Sequence, residues 1–198
     1  MAIQGDIQEN ILSTKKALDD LGIDGTVTDV KTADDVKKLD GLIIPGGEST
    51  TIGQLSLVNS SLRVVKEKIE GGMPVFGICA GMILLAKTAS DRVVGKTNQP
   101  LLDLLEIKIE RNSFGRQRES FEAEVTMDSI NIPQFRGVFI RAPSISEVSS
   151  DVEVLAKFNE KIVAIKKGNI IGTSFHPELT SDVSLHKYFV NLVKNSKN

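Results

Sequence analysis

Two short runs of this chain are apolar at almost every position and close on glycine: LDGLIIPGG (39–47) and PVFGICAG (74–81). A strand with one wet face alternates apolar and polar residues. A parallel strand covered by helices on both faces reads instead as an unbroken apolar run. Runs this short, bounded by Pro and Gly, predict buried strands that enter tight loops. Between them SSLRVVKEKIEGG (60–72) has helical spacing and a glycine stop.

The same rhythm extends both ways. DIQENILSTKKALDDLG (6–22) places Ile7, Ile11, Leu12, Ala17, Leu18 and Leu21 near helical spacing before Gly22, and TVTDV (26–30) alternates like a short strand. Strand and helix in succession predict an α/β fold with a mostly parallel central sheet flanked by helices. The middle adds antiparallel strands, because 104–127 and 135–148 alternate around Gly turns. VLAKFNEKIVAIKKGNIIGTSFHPE (154–178) reads as strands returning through turns at NE and KGN, and 181–195 as a closing amphipathic helix. No repeat or linker interrupts the 198 residues, so a single domain over 1–198 is expected.

Bulk properties exclude several classes. A net charge of −2 and a sequence pI near 5.8 give no reason to expect a nucleic-acid or membrane partner. One cysteine cannot build a disulfide framework, which suits a reducing compartment. MAIQGDIQENIL lacks a basic segment followed by an apolar stretch, so no secretory signal is expected and the protein is read as cytoplasmic.

In open α/β sheets, functional sites lie beyond the carboxyl ends of the strands, where both glycine-closed runs terminate. The single cysteine, Cys79, stands there between Gly77 and Gly81. A G-x-C-x-G turn between strand and helix has the layout of a nucleophile elbow, with small neighbours around a strained residue. The helix that follows favours the thiolate, and the amide of Ala80 becomes a candidate oxyanion donor. Taken alone, the pattern equally fits a buried, inert cysteine.

A thiolate nucleophile needs a base held by a third group. Of the two histidines, His186 lies in a helical pattern and reads as a packing or surface residue. His176, in SFHPE, precedes Pro177, which biases it to extended backbone. Residues two apart then share a side, so Glu178 can steady the imidazole. PGGEST (45–50) supplies glycines able to turn an N–H toward a ligand, and it also reads as a helix-capping loop with Ser49 or Thr50 as cap.

PGGEST, FGICAG and SFHPE together resemble the class I (triad-type) glutamine amidotransferases, whose fold is flavodoxin-like. GLIIPGGESTTIGQL, ICAGMILLAK, ERNSFGRQRESFEAE, GVFIRAP and SFHPELT are similar, in particular, to the glutaminase subunits of pyridoxal 5′-phosphate synthase. The likeness runs over nearly the whole chain, and ERNSFGRQRESFE is its most specific motif.

The resemblance implies hydrolysis of L-glutamine to glutamate and ammonia through a thioester on Cys79, with His176 as proton carrier and Glu178 as its orienter. It assigns glutamine binding to Gly47, Glu48, Ser49, Arg111, Ile140 and Arg141, and an oxyanion hole to Gly47 and Ala80. Ammonia would pass to a synthase subunit of the PdxS/SNZ type within a large hetero-oligomer. No cofactor and no metal are implied. Two other readings compete: a glutaminase serving another synthase, such as imidazole-glycerol-phosphate synthase, and a non-enzymatic module on a DJ-1-like fold. Family members usually carry a longer apolar strand ahead of the IQG-like stretch than Met1–Ala2 here. A short apolar extension ahead of Met1 is therefore expected to raise the melting temperature.

Overall fold

The computed structural model describes residues 7–47, 61–91, 95–96, 100–114 and 120–197. The IQG stretch therefore lies outside the described residues. Helix α1 (Ile7–Leu21) ends where Gly22 takes a left-handed φ of +62°, and the amides of Gly22 and Ile23 return to Asp19 O and Leu18 O. Helix α2 (Ala33–Lys37) opens with a reciprocal capping box between Thr32 and Asp35. TVTDV is not a strand. Val30 is buried, but among the described residues no strand offers this segment a ladder, and alternation without a partner is not a strand.

Strand β1 (Leu42–Ile44), helix α3 (Ser61–Glu70), strand β2 (Val75–Ile78), helix α4 (Ala80–Leu85) and strand β3 (Ala86–Asp91) follow as the hydrophobic pattern requires. The remaining strands are β4 (Gly95–Lys96), β5 (Leu105–Arg111), β6 (Ser120–Met127), β7 (Ile132–Ile140), β8 (Ser144–Val148), β9 (Glu153–Phe158), β10 (Lys161–Lys167) and β11 (Ile170–Thr173). Helix α5 (Ser184–Asn195) closes the chain. The fold is α/β, with helices flanking a mixed sheet in the order β1-β2-β11-β10-β8-β5-β3-β4, and β9 added beside β10. Neighbours β1, β2 and β11 run parallel, as do β3 and β5. The other pairings are antiparallel, and β6 and β7 form a separate ribbon.

The β9–β10 turn is tight because Asn159 and Glu160 both take positive φ, 46° and 61°, the geometry that matches the twist of a two-residue hairpin. Along β2, alternate side chains enter different cores. Val75 joins Ile44, Val65 and Leu85 on one face, while Phe76 and Ile78 join Phe139, Phe175 and Phe189 on the other. Burying a side chain such as Phe76 stabilises the fold by about 1.5–3 kcal/mol. This two-faced burial is why β2 lacks alternation in sequence, and it fixes the level at which Cys79 leaves the sheet. Among the described residues, no helix is long and apolar enough to cross a membrane.

Candidate active site

Register brings the three glycine- and histidine-bearing loops together. Ile44 of β1 pairs with Gly77 of β2, and Ile78 of β2 pairs with Thr173 of β11. The strands are parallel, so their carboxyl ends lie side by side. Pro45–Gly47 leaves β1 there, Cys79 follows β2 directly, and His176 stands three residues past β11. The Cys79 amide donates to Thr173 O at 2.7 Å, tying the second loop to the third.

Cys79 holds φ 50° and ψ −102°, outside the regions a side-chain-bearing residue favours. Such a conformation costs on the order of 1–3 kcal/mol and persists only where the surroundings impose it. The two flanking glycines permit the close packing that does so. A Cβ on Gly81 would fall 2.0 Å from Ile44 O, and one on Gly77 would fall 2.6 Å from Leu85 and 2.8 Å from the α4 backbone. Only glycine lets α4 press this closely on β1 and β2 while Cys79 is turned out of the strand. The sulfur-bearing residue stays 8% exposed.

His176 and Glu178 are both buried, and His176 Nδ1 lies 2.9 Å from Glu178 Oε1. The His176 amide donates to Val138 O at 2.8 Å, which anchors this loop to β7. Burial by itself pulls the imidazole pKa down. Hydrogen bonds to Cys79 and Glu178, with the charge on both, outweigh burial and push it from 6.5 up to about 10. The pairing therefore favours the charged ring, which is held between a sulfur and a carboxylate. Gly46 packs against its edge so tightly that a Cβ there would sit 2.3 Å from Cε1.

The remaining candidates divide. Gly47 is exposed, with φ +137°, a conformation reserved for glycine. Ala80 opens α4 directly beside Cys79 and is buried. Arg111 ends β5, and Ile140 ends β7 with Arg141 just beyond it at φ 43°. These segments meet through the backbone, since Ser113 N–H donates to Ala142 O at 3.1 Å. Glu48 and Ser49 lie outside the described residues. Sequence reasoning missed Gly46 and Val138, whose roles depend on packing and on a backbone carbonyl that no motif reveals. His186 is a packing residue, fully buried against Phe76 and 3.3 Å from Asn10 Oδ1.

The overall path of the chain is that of a glutamine amidotransferase. A crystal structure described as a glutamine amidotransferase superposes with a TM-score of 0.85 at 42% identity, covering 98% of this chain and 97% of that one. The glutaminase domain of Trypanosoma brucei CTPS with bound acivicin shares the fold at a TM-score of 0.60 and 11% identity, covering 95% of this chain and 88% of that one.

The chain belongs to the SNO glutamine amidotransferase family, whose profile matches residues 1–195. A relative in Nitrosopumilus maritimus, pyridoxal 5′-phosphate synthase subunit PdxT, is 69% identical over 197 residues, spanning 100% of this chain and 96% of its own length. Proteins of the same name in Archaeoglobus fulgidus and Saccharolobus islandicus are each 48% identical. They cover 99% and 98% of this chain, and 98% and 97% of their own lengths, respectively.

Proposed function

We propose that this chain hydrolyses L-glutamine to glutamate and ammonia, and that the ammonia passes to a synthase subunit that builds pyridoxal 5′-phosphate. The observation carrying this reading is the contact of Cys79, His176 and Glu178 where β1, β2 and β11 end together. Family membership and the named relatives support the substrate and the pathway.

In the proposed reaction the Cys79 sulfur attacks the side-chain amide carbon. The carbonyl oxygen gains negative charge, which N–H groups of Ala80 and Gly47 would stabilise. As the carbon–nitrogen bond breaks, the His176 imidazolium gives its proton to the departing nitrogen, releasing ammonia and leaving a glutamyl thioester. Neutral His176 then takes a proton from water, whose oxygen attacks the thioester. Glutamate leaves, and the proton returns the ring to its resting cation. Glu178 keeps Nδ1 protonated, so Nε2 faces the sulfur throughout.

Arg111 and Arg141 would pair with the zwitterionic end of glutamine, and a guanidinium suits the α-carboxylate by its planar fork. Glu48, Ser49 and Ile140 complete the proposed binding set. The partner is a synthase subunit in a hetero-oligomer, and the compartment the cytoplasm.

The test is glutamate release from L-glutamine by the chain alone and with an added pyridoxal 5′-phosphate synthase subunit. Activity that rises with the partner and disappears in Cys79→Ala is the expected result. Equal activity in Cys79→Ala would rule out the cysteine mechanism.

A further inference from the structure

We propose that Lys161 is a positioning residue for glutamine, locking the Arg111 turn to the Arg141 corner. This rests on the reading that these two arginines bind the substrate. Lys161 begins β10, half-buried, just past the left-handed Asn159–Glu160 turn. Its ammonium donates to Ser113 O at 2.5 Å and to Ser113 Oγ at 2.6 Å, and it stands 5.0 Å over the Phe114 ring. Ser113 is 2% exposed and lies two residues beyond Arg111. Its N–H donates to Ala142 O, next to Arg141, and its hydroxyl lies 2.6 Å from that of buried Ser144.

Every polar group of Ser113 is thus engaged, and its partners come from separate stretches of chain: the β7–β8 corner, β8 and β10. The backbone at this knot is under tension. Asn112 and Arg141 both hold positive φ, 52° and 43°; asparagine visits this region readily, whereas arginine does so only when its surroundings insist. Phe114 is clamped in turn by Phe121, Phe139 and Phe158, at centroid distances of 5.4, 5.7 and 6.1 Å. An ammonium placed on a carbonyl, a hydroxyl and an aromatic face ties such a turn by charge-assisted contacts. Without it, Arg111 and Arg141 lose their fixed separation, and substrate must supply the ordering when it binds.

The consequence falls on glutamine binding rather than on the chemical step, because Lys161 contacts none of Cys79, His176 and Glu178. In the complex with the synthase subunit, Lys161→Met should raise KM for glutamine about tenfold with kcat within about twofold, the loss expected for one charge-assisted hydrogen bond. The glutamine concentration that half-protects Cys79 from iodoacetamide should rise by the same factor, while alkylation without glutamine keeps its rate. Lys161→Arg should restore KM to within about threefold. A KM unchanged in Lys161→Met, or a Lys161→Arg as impaired as Lys161→Met, overturns the proposal. Should Lys161→Met fail to fold, Ser144→Ala removes a single hydroxyl of the knot and should raise KM about threefold; an unchanged KM there overturns it equally. A wild-type complex that releases no glutamate instead refutes the glutaminase reading itself.

Discussion

Gly46→Ala isolates the placement of the His176 ring from everything else in the site. Gly46 has no left-handed backbone that alanine would resist, so the substitution adds one methyl group and nothing more. That methyl would sit 2.3 Å from His176 Cε1, 3.1 Å from Nδ1 and 3.3 Å from Nε2. Unstrained carbon contacts lie at about 3.5–4.0 Å, so the ring must retreat by more than about 1 Å. It cannot do so and keep both its 2.9 Å bond to Glu178 and its contact with Cys79. A displacement of about 1 Å in a catalytic group costs about 100-fold in rate, or about 2.7 kcal/mol of barrier. Steady-state glutamate release by the complex with the synthase subunit should show kcat lowered about 100-fold and KM within about threefold. A kcat within about threefold of wild type would refute the reasoning. A large fall in melting temperature with kcat intact would also refute it, by showing that the loop yields instead of the ring.

Packing and buried charge set three further outcomes. Gly81→Ala drives a Cβ to 2.0 Å from Ile44 O, where backbone must move, and urea unfolding should show a loss of about 3 kcal/mol or more; a loss under about 1 kcal/mol contradicts the packing account. Burial lowers the His186 pKa to about 4 from 6.5, so the unfolded chain binds its proton more readily, and the stability tied to the neutral ring is complete above pH 6.5 and drains away toward pH 4. The separation corresponds to about 3 kcal/mol at most, and His186→Leu should flatten the pH dependence of unfolding over that window relative to wild type; an identical slope contradicts it. His176 has the opposite sign: its folded pKa is raised, so the stability of its charged form is complete below pH 6.5 and is lost as pH climbs through about 10. NMR of the free chain should find the His176 ring protonated at pH 8, with a lower titration midpoint in Cys79→Ala; a wild-type midpoint near 6.5 contradicts the paired site.

What the sequence disclosed depended on how local the physics was. The unbroken apolar runs of β1 and β2, Gly77 and Gly81 around Cys79, and the extended backbone before Pro177 are each decided within a few residues, and each is found as read. TVTDV failed because alternation reports a half-buried face, not the neighbour a strand must pair with. Gly47 drew the reading in PGG because the family resemblance assigns it the oxyanion role; nothing local sets the two glycines apart. Gly46, the residue pressed against His176, becomes visible only once β1 and β11 flank β2. Lys161 carries no signal at all: it begins a strand with a buried centre, and its partner Ser113 is 48 residues away.

The central claim is that Cys79 attacks the glutamine side chain. It is tested most directly by mixing the complex with isotopically labelled L-glutamine, quenching in acid within the first turnovers and mapping the peptides by mass spectrometry. The account predicts a labelled glutamyl group on the peptide holding Cys79, absent in Cys79→Ala. Turnover of glutamine with no label on Cys79, or label on another residue, would contradict it.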